Sequence, residues 1–360
     1  MLVEKKSFTV SDFALELGAV LKTMTIGYET YGRLNADTSN AILVAHYFTG
    51  TSHAAARYSS SDAEPGYWDS IIGPGKAIDT DRYFVLSCDS LCNLNTKNPY
   101  VITTGPASLN PETGKPYGAS FPTVTIGDFV NAQNLVCESL GIKKLVAVCG
   151  PSMGAFQSLE WAARYPEKVE RVIAAISPGL SVDAFLVARL NTWCAPILLD
   201  AQFKDGNYHE NEGPVRGLTQ ALKLVTLDAV HFGWAKRLFS RRLVEPSNKA
   251  TSPFAIEQAL EATALARAEI GDANSFLRIA RAVQLFSIEE RKHLLKAKFL
   301  FLPADSDLLM YMDFTENAAR ELTELGLSAE VSVIEGDGGH LDGLTSIFQT
   351  TQTICRFLES

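Results

Sequence analysis

Apolar positions along the chain fall into short, nearly continuous runs separated by amphipathic stretches. AILVAHY (41–47), RYFVLSC (82–88), KLVAVC (144–149), RVIAAIS (171–177), AKFLFLP (297–303) and AEVSVIE (329–335) are β-rich. Several lack the alternation of a half-exposed strand, as expected for strands covered on both faces. Helical patterns accompany them at 128–141, 153–166, 313–326 and 342–359. This alternation predicts an α/β protein with a mostly parallel, doubly wound sheet. KTMTIGYETYG (22–32) reads instead as part of an antiparallel edge hairpin. Between 179 and 291 the strand signal vanishes and Ala, Leu, Arg and Glu dominate, as in FAIEQALEATALARAEIG (254–271). The expected organisation is a core of residues 1–178 and 292–360 with a helical cap inserted at 179–291. A ligand crevice is expected between the two.

The chain has 360 residues, 46% hydrophobic and 20% charged, which suffices for a large core. Its formal net charge of −9 argues against nucleic acid as a partner, because phosphate binding needs a basic surface. No run approaches the about 18 apolar residues of a membrane span, and MLVEKKSFTV has no signal-peptide character. The six cysteines are scattered and complete no zinc set, so neither a metal nor a bound cofactor is expected, and a cytoplasmic setting is the simplest reading.

VAVCGPSMGAFQSLEW (146–161) contains G-x-S-x-G between a predicted strand and a predicted helix. That is the setting of a nucleophile elbow, where a sharp strand-to-helix turn leaves room for almost no side chain two residues either side of the serine. Ser152 is therefore the candidate nucleophile, against the plainer reading of a helix cap in a glycine-rich turn. A serine hydroxyl needs a base and the base an orienting acid, expected in the order Ser, acid, His. Of the late histidines, His293 lies among basic residues at a helix end, whereas His340 sits in the glycine-rich loop EGDGGHLDGL. His340 is the candidate base. Asp305 and Asp307 both follow the strand at 297–303, with Asp337 a third choice, and spacing does not separate them. Backbone N–H groups of Met153 and of the loop His46–Gly50 are placed to form an oxyanion hole.

Together with YETYGRLN (28–35), LVAHYFTGTSHAA (43–55), GYWDSIIGPGKAIDTDRYFVLSCD (66–89), GPSMGAFQSLEWAARYPEKVERVI (150–173) and the cap stretches 205–218 and 274–282, these motifs resemble the homoserine O-acetyltransferase family of α/β-hydrolase-fold acyltransferases. The resemblance implies Ser152, Asp307 and His340 as the triad, and Phe48 and Met153 as oxyanion donors. It implies acetyl-CoA or another acyl-CoA as co-substrate, a ping-pong route, a small hydroxylated acceptor with homoserine leading, and a homodimer. Thr49 and Asp342 are candidate substrate-binding residues. Three places depart from the pattern. Family members usually carry Asp directly after the histidine, where this chain has Leu341, and the nearest acid is Asp342. LKLVTLDAVHFG (222–233) has neither the arginine nor the tyrosine that the family commonly has for the acceptor, and CNLNTKNPYVITTG (92–105) differs from the family's glycine-rich version. Hydrolysis by the same triad is the alternative reading, and a non-catalytic binding protein the third.

Overall fold

The computed structural model describes residues 1–208 and 212–360. Residues 209–211, within the cap stretch 205–218, lie outside them. A hairpin opens the chain: β1 (Lys6–Ala14) pairs antiparallel with β2 (Val20–Tyr31). There follow β3 (Ala41–Ala45), a separate two-stranded ribbon of β4 (Ile72–Gly73) and β5 (Ile78–Asp79), and then β6 (Phe84–Cys88). Helix α1 (Ile126–Ser139) leads to β7 (Ala147–Pro151), α2 (Met153–Arg164) and β8 (Arg171–Ala175). Five helices come next: α3 (Ala184–Leu199), α4 (Val215–Ala229), α5 (Phe232–Leu238), α6 (Ala255–Glu269) and α7 (Ala273–Gln284). The chain closes with β9 (Lys298–Leu302), α8 (Met312–Glu324), β10 (Ala329–Val331), α9 (Asp342–Thr345) and α10 (Thr351–Glu359).

The main sheet has the order β1-β2-β6-β3-β7-β8-β9-β10. From β6 to β10 every pairing is parallel, and only β1–β2 and β2–β6 are antiparallel. Strand side chains divide between two cores. Leu43, Phe299 and Phe301 join the layer containing α1 and α2, while Ile42, Val44, Leu300 and Leu302 join Ile354 and Phe357 of α10 on the other face. Both faces are covered, which is why these strands read as unbroken apolar runs.

Two expectations shift. The hairpin partner β1 (KSFTVSDFA) carries too few apolar residues to stand out in the sequence; most of its positions are exposed at the sheet edge. The helix expected over 342–359 is broken into α9, a single tight turn and α10. The Gly343 carbonyl accepts a hydrogen bond from Trp68 Nε1 at 3.0 Å, which takes it away from the helical ladder.

Candidate active site

Ser152 sits at the carboxyl end of β7, immediately before α2, with φ 55° and ψ −120°. A non-glycine residue adopts such a φ only where its surroundings impose it. Here the cause is close packing on β3. A Cβ at Gly150 would lie 2.4 Å from the Ala45 carbonyl oxygen, and one at Gly154 only 2.1 Å from the same atom. The two glycines let α2 start hard against the sheet, and the Ser152 N–H donates to Ala175 O at 2.9 Å. The turn therefore projects Ser152 beyond the strand ends.

The other candidate groups also follow strand ends. Asp307 lies beyond β9, and one oxygen of its carboxylate accepts from His340 Nδ1 at 2.6 Å. Its second oxygen accepts from the N–H groups of Leu309 (2.8 Å) and Met310 (2.9 Å), so the carboxylate is fixed in place. Asp305 instead accepts from Gly336 N at 3.0 Å, and Asp337 is exposed in an ion pair with Arg237. His293 lies on the surface, away from these groups. Because Nδ1–H donates to Asp307, His340 Nε2 is left as an acceptor; it is buried and has no hydrogen-bond partner. The His340 loop is shaped by its neighbours: Gly339 has φ 72°, and a Cβ there would meet the backbone of Ala229 and His231.

Ser152 and His340 line one cavity of about 460 Å³, bounded on the core side also by Phe48, Thr49 and Met153. Trp193, Val225, Trp234 and Leu260 close it from helices α3 to α6. The N–H groups of Phe48 and Met153 donate to no protein group among the described residues. Met153 N–H heads α2, so the helix dipole adds to its donor strength. The loop carrying Phe48 is pinned by His46, whose Nδ1–H donates to Tyr47 O at 2.8 Å while Nε2 accepts from Ser90 N at 3.0 Å. Full burial pushes the His46 imidazole pKa down, consistent with a neutral, structural ring.

The candidate substrate residues separate. Thr49 lines the cavity. Asp342 does not: its carboxylate accepts from Gly338 N (2.8 Å), Ser306 Oγ (3.2 Å) and Ser346 Oγ (2.7 Å). Those bonds knit the His340 loop together. Leu341, by contrast, faces the cavity, which no Asp or Glu lines among the described residues. Tyr47, read from the sequence only as part of the His46–Gly50 loop, also lines the cavity, and Arg267 escaped the sequence reading. An arginine within ATALARAEIG looks like one more solvated position on an amphipathic helix. Among the described residues no cluster of three or more His, Cys, Asp or Glu could hold a metal ion. None of the described helices is long and apolar enough to cross a membrane.

A serine on a strained strand-to-helix turn, with an Asp–His pair on later strand ends, defines the α/β-hydrolase class, and the family model for the α/β-hydrolase fold matches residues 65–345. Within that class the relatives are specific. A homoserine O-acetyltransferase from Geotalea daltonii is 38% identical over 350 residues, covering 94% of this chain and 93% of its own. The crystal structure of homoserine O-acetyltransferase from Bacillus anthracis matches with a TM-score of 0.94 at 36% identity, covering all of this chain and 98% of that one. The crystal structure of esterase E22 matches with a TM-score of 0.95 at 44% identity, over 99% of this chain and 100% of that one. The chain belongs to the homoserine O-acetyltransferase family of α/β-hydrolase-fold enzymes.

Proposed function

We propose that the protein moves a short acyl group through an ester formed on Ser152. His340 Nε2 takes the Ser152 hydroxyl proton as Oγ attacks the carbonyl carbon of an acyl-CoA thioester. The N–H groups of Phe48 and Met153 hold the resulting oxyanion, and Asp307 steadies the imidazolium. The C–S bond breaks, the proton passes from His340 to the departing thiolate, and the acyl group stays on Ser152. An acceptor hydroxyl then gives its proton to His340 and attacks the acyl-serine. The bond to Oγ breaks and Ser152 recovers its proton. The observation that carries this reading is the 2.6 Å Asp307–His340 contact, with Nε2 left unpartnered in the cavity that Ser152 lines. In this proposal substrate binding brings Ser152 Oγ into hydrogen-bond contact with His340 Nε2, which has no such partner beforehand.

Homoserine is the acceptor that the acetyltransferase relatives name, and it leads in this proposal. The same proposal divides the chain into a core of residues 1–178 and 292–360 and a lid of residues 179–291. It includes a cytoplasmic homodimer, supported by exposed apolar side chains on the lid helices such as Phe185, Leu227 and Phe232. A second reading, ester hydrolysis with water as acceptor, is favoured by one feature. Leu341 and the surrounding apolar walls offer a homoserine ammonium no carboxylate among the described residues. Esterase E22 stands beside the acetyltransferases at 44% identity. Release of CoA from acetyl-CoA, followed with and without homoserine, separates the two. Transfer predicts release at least about tenfold faster with the acceptor. Equal rates would establish hydrolysis.

A further inference from the structure

Arg267, on α6, brings a charge into an otherwise uncharged lid surface. Its guanidinium is mostly buried and donates through Nη2 to Thr49 Oγ1 on the loop that also carries Phe48. Among the described residues no carboxylate pairs with it. A surface arginine would extend its head to water, and a buried one ordinarily meets an acid. Arg267 does neither, which leaves most of its five N–H donors unused inside the substrate cavity. Tyr47 lines the same cavity, and its hydroxyl has no hydrogen-bond partner among the described residues. Burial pushes the Tyr47 phenol pKa up while the Arg267 charge pulls against that rise, so the two heads are within electrostatic reach. The guanidinium itself is pushed down from its ordinary value by burial, a penalty that an anionic ligand would relieve.

We propose that Arg267, with Thr49 and Tyr47, forms an anion subsite in the active-site cavity that selects substrates carrying a carboxylate. This rests on the acyl-serine reading of the same cavity. The selection comes from a forked donor set suited to a planar carboxylate. No cavity-lining carboxylate among the described residues competes for it. The preferred acyl donor or acceptor is thus an ester or alcohol of the hydroxy-acid or dicarboxylic-acid kind.

Two matched pairs locate the anion. On the acyl side, 4-nitrophenyl hydrogen glutarate is compared with 4-nitrophenyl pentanoate. On the alcohol side, 4-hydroxybutyrate is compared with 1-butanol as acceptor for the acyl-enzyme formed from 4-nitrophenyl acetate. The subsite predicts that the charged member of at least one pair is preferred by about tenfold or more in kcat/KM. In Arg267→Met that charged-to-neutral ratio falls to about one. Each ratio is taken within a single preparation, so partial misfolding cancels, and Arg267→Lys should retain part of the preference. No preference in either pair, or a preference that survives Arg267→Met, overturns the proposal. Calorimetric titration of the wild type and Arg267→Met with 4-hydroxybutyrate keeps the subsite testable apart from catalysis. Saturable binding confined to the wild type supports the subsite even if no ester is turned over, an outcome that would sink only the acyl-serine reading. Binding to neither protein, or equally to both, counts against the subsite.

Discussion

Asp307 Oδ2 lies 2.6 Å from His340 Nδ1, and among the described residues Asp307 otherwise accepts only from two backbone N–H groups just after it. The contact fixes which imidazole nitrogen is free. Replacing the acid by an amide removes the charge that stabilises the imidazolium and allows the wrong tautomer. Asp307→Asn should keep its folded structure and lose about 10³- to 10⁴-fold in kcat on 4-nitrophenyl acetate. Steady-state kinetics check this. A loss of less than about tenfold would return Asp305 to consideration.

At Gly154 an added Cβ would lie 2.1 Å from the Ala45 carbonyl oxygen and 2.9 Å from its carbon, both backbone atoms that cannot swing aside. Gly154→Ala should therefore destabilise the fold by about 2–4 kcal/mol, as overpacked cores do. It should also push Ser152 off its position, so that thermal unfolding midpoint and esterase activity fall together. An unchanged melting temperature would show that the elbow tolerates more room than its geometry allows.

Glu29 on β2 is fully buried and meets Lys5 Nζ (2.9 Å), His53 Nδ1 (3.0 Å), Tyr58 OH (2.6 Å) and Tyr31 OH (2.7 Å). Burial alone would push its carboxyl pKa up. The His53 hydrogen bond, the Lys5 charge and the Tyr58 hydrogen bond outweigh that and hold it down to about 2. A carboxyl depressed in the folded state stabilises the fold above its unfolded value near 4.5, and that contribution is lost as pH falls through about 2. Its size is on the order of 3 kcal/mol. Urea unfolding across this range should show stability declining with acid in the wild type. Glu29→Gln should show a flatter acid limb and lower stability at neutral pH.

Leu341 faces the cavity at the position where the family resemblance leads one to expect Asp, and no carboxylate lines the cavity among the described residues. Leu341→Asp should place a negative charge within reach of an acceptor ammonium. The expected outcome is a rise of about tenfold in homoserine-dependent CoA release relative to water-dependent release. An unchanged ratio would mean that the missing carboxylate is not what limits this acceptor.

The parallel sheet was legible because each inner strand is apolar on both faces, as Leu43 and Val44 illustrate. Ser152 could be read because steric crowding leaves only glycine at positions 150 and 154, a constraint that shows directly in the sequence. Asp307 was separable from Asp305 by family resemblance, not by spacing, since both follow the same strand. Asp342 reads as a ligand because it is a carboxylate next to a candidate base. In the fold Gly338, Ser306 and Ser346 already hold it. Arg267 left no mark, because an arginine turned inward and one turned outward look alike on a helix until the tertiary packing is known.

The central claim is that Ser152 carries the acyl group. Rapid-quench mass spectrometry after mixing with 4-nitrophenyl acetate or acetyl-CoA tests it most directly. One acetyl group is expected on the peptide containing Ser152, formed within a turnover, discharged on standing, and absent in Ser152→Ala. An acetyl group on another residue, or full turnover by Ser152→Ala, would contradict it.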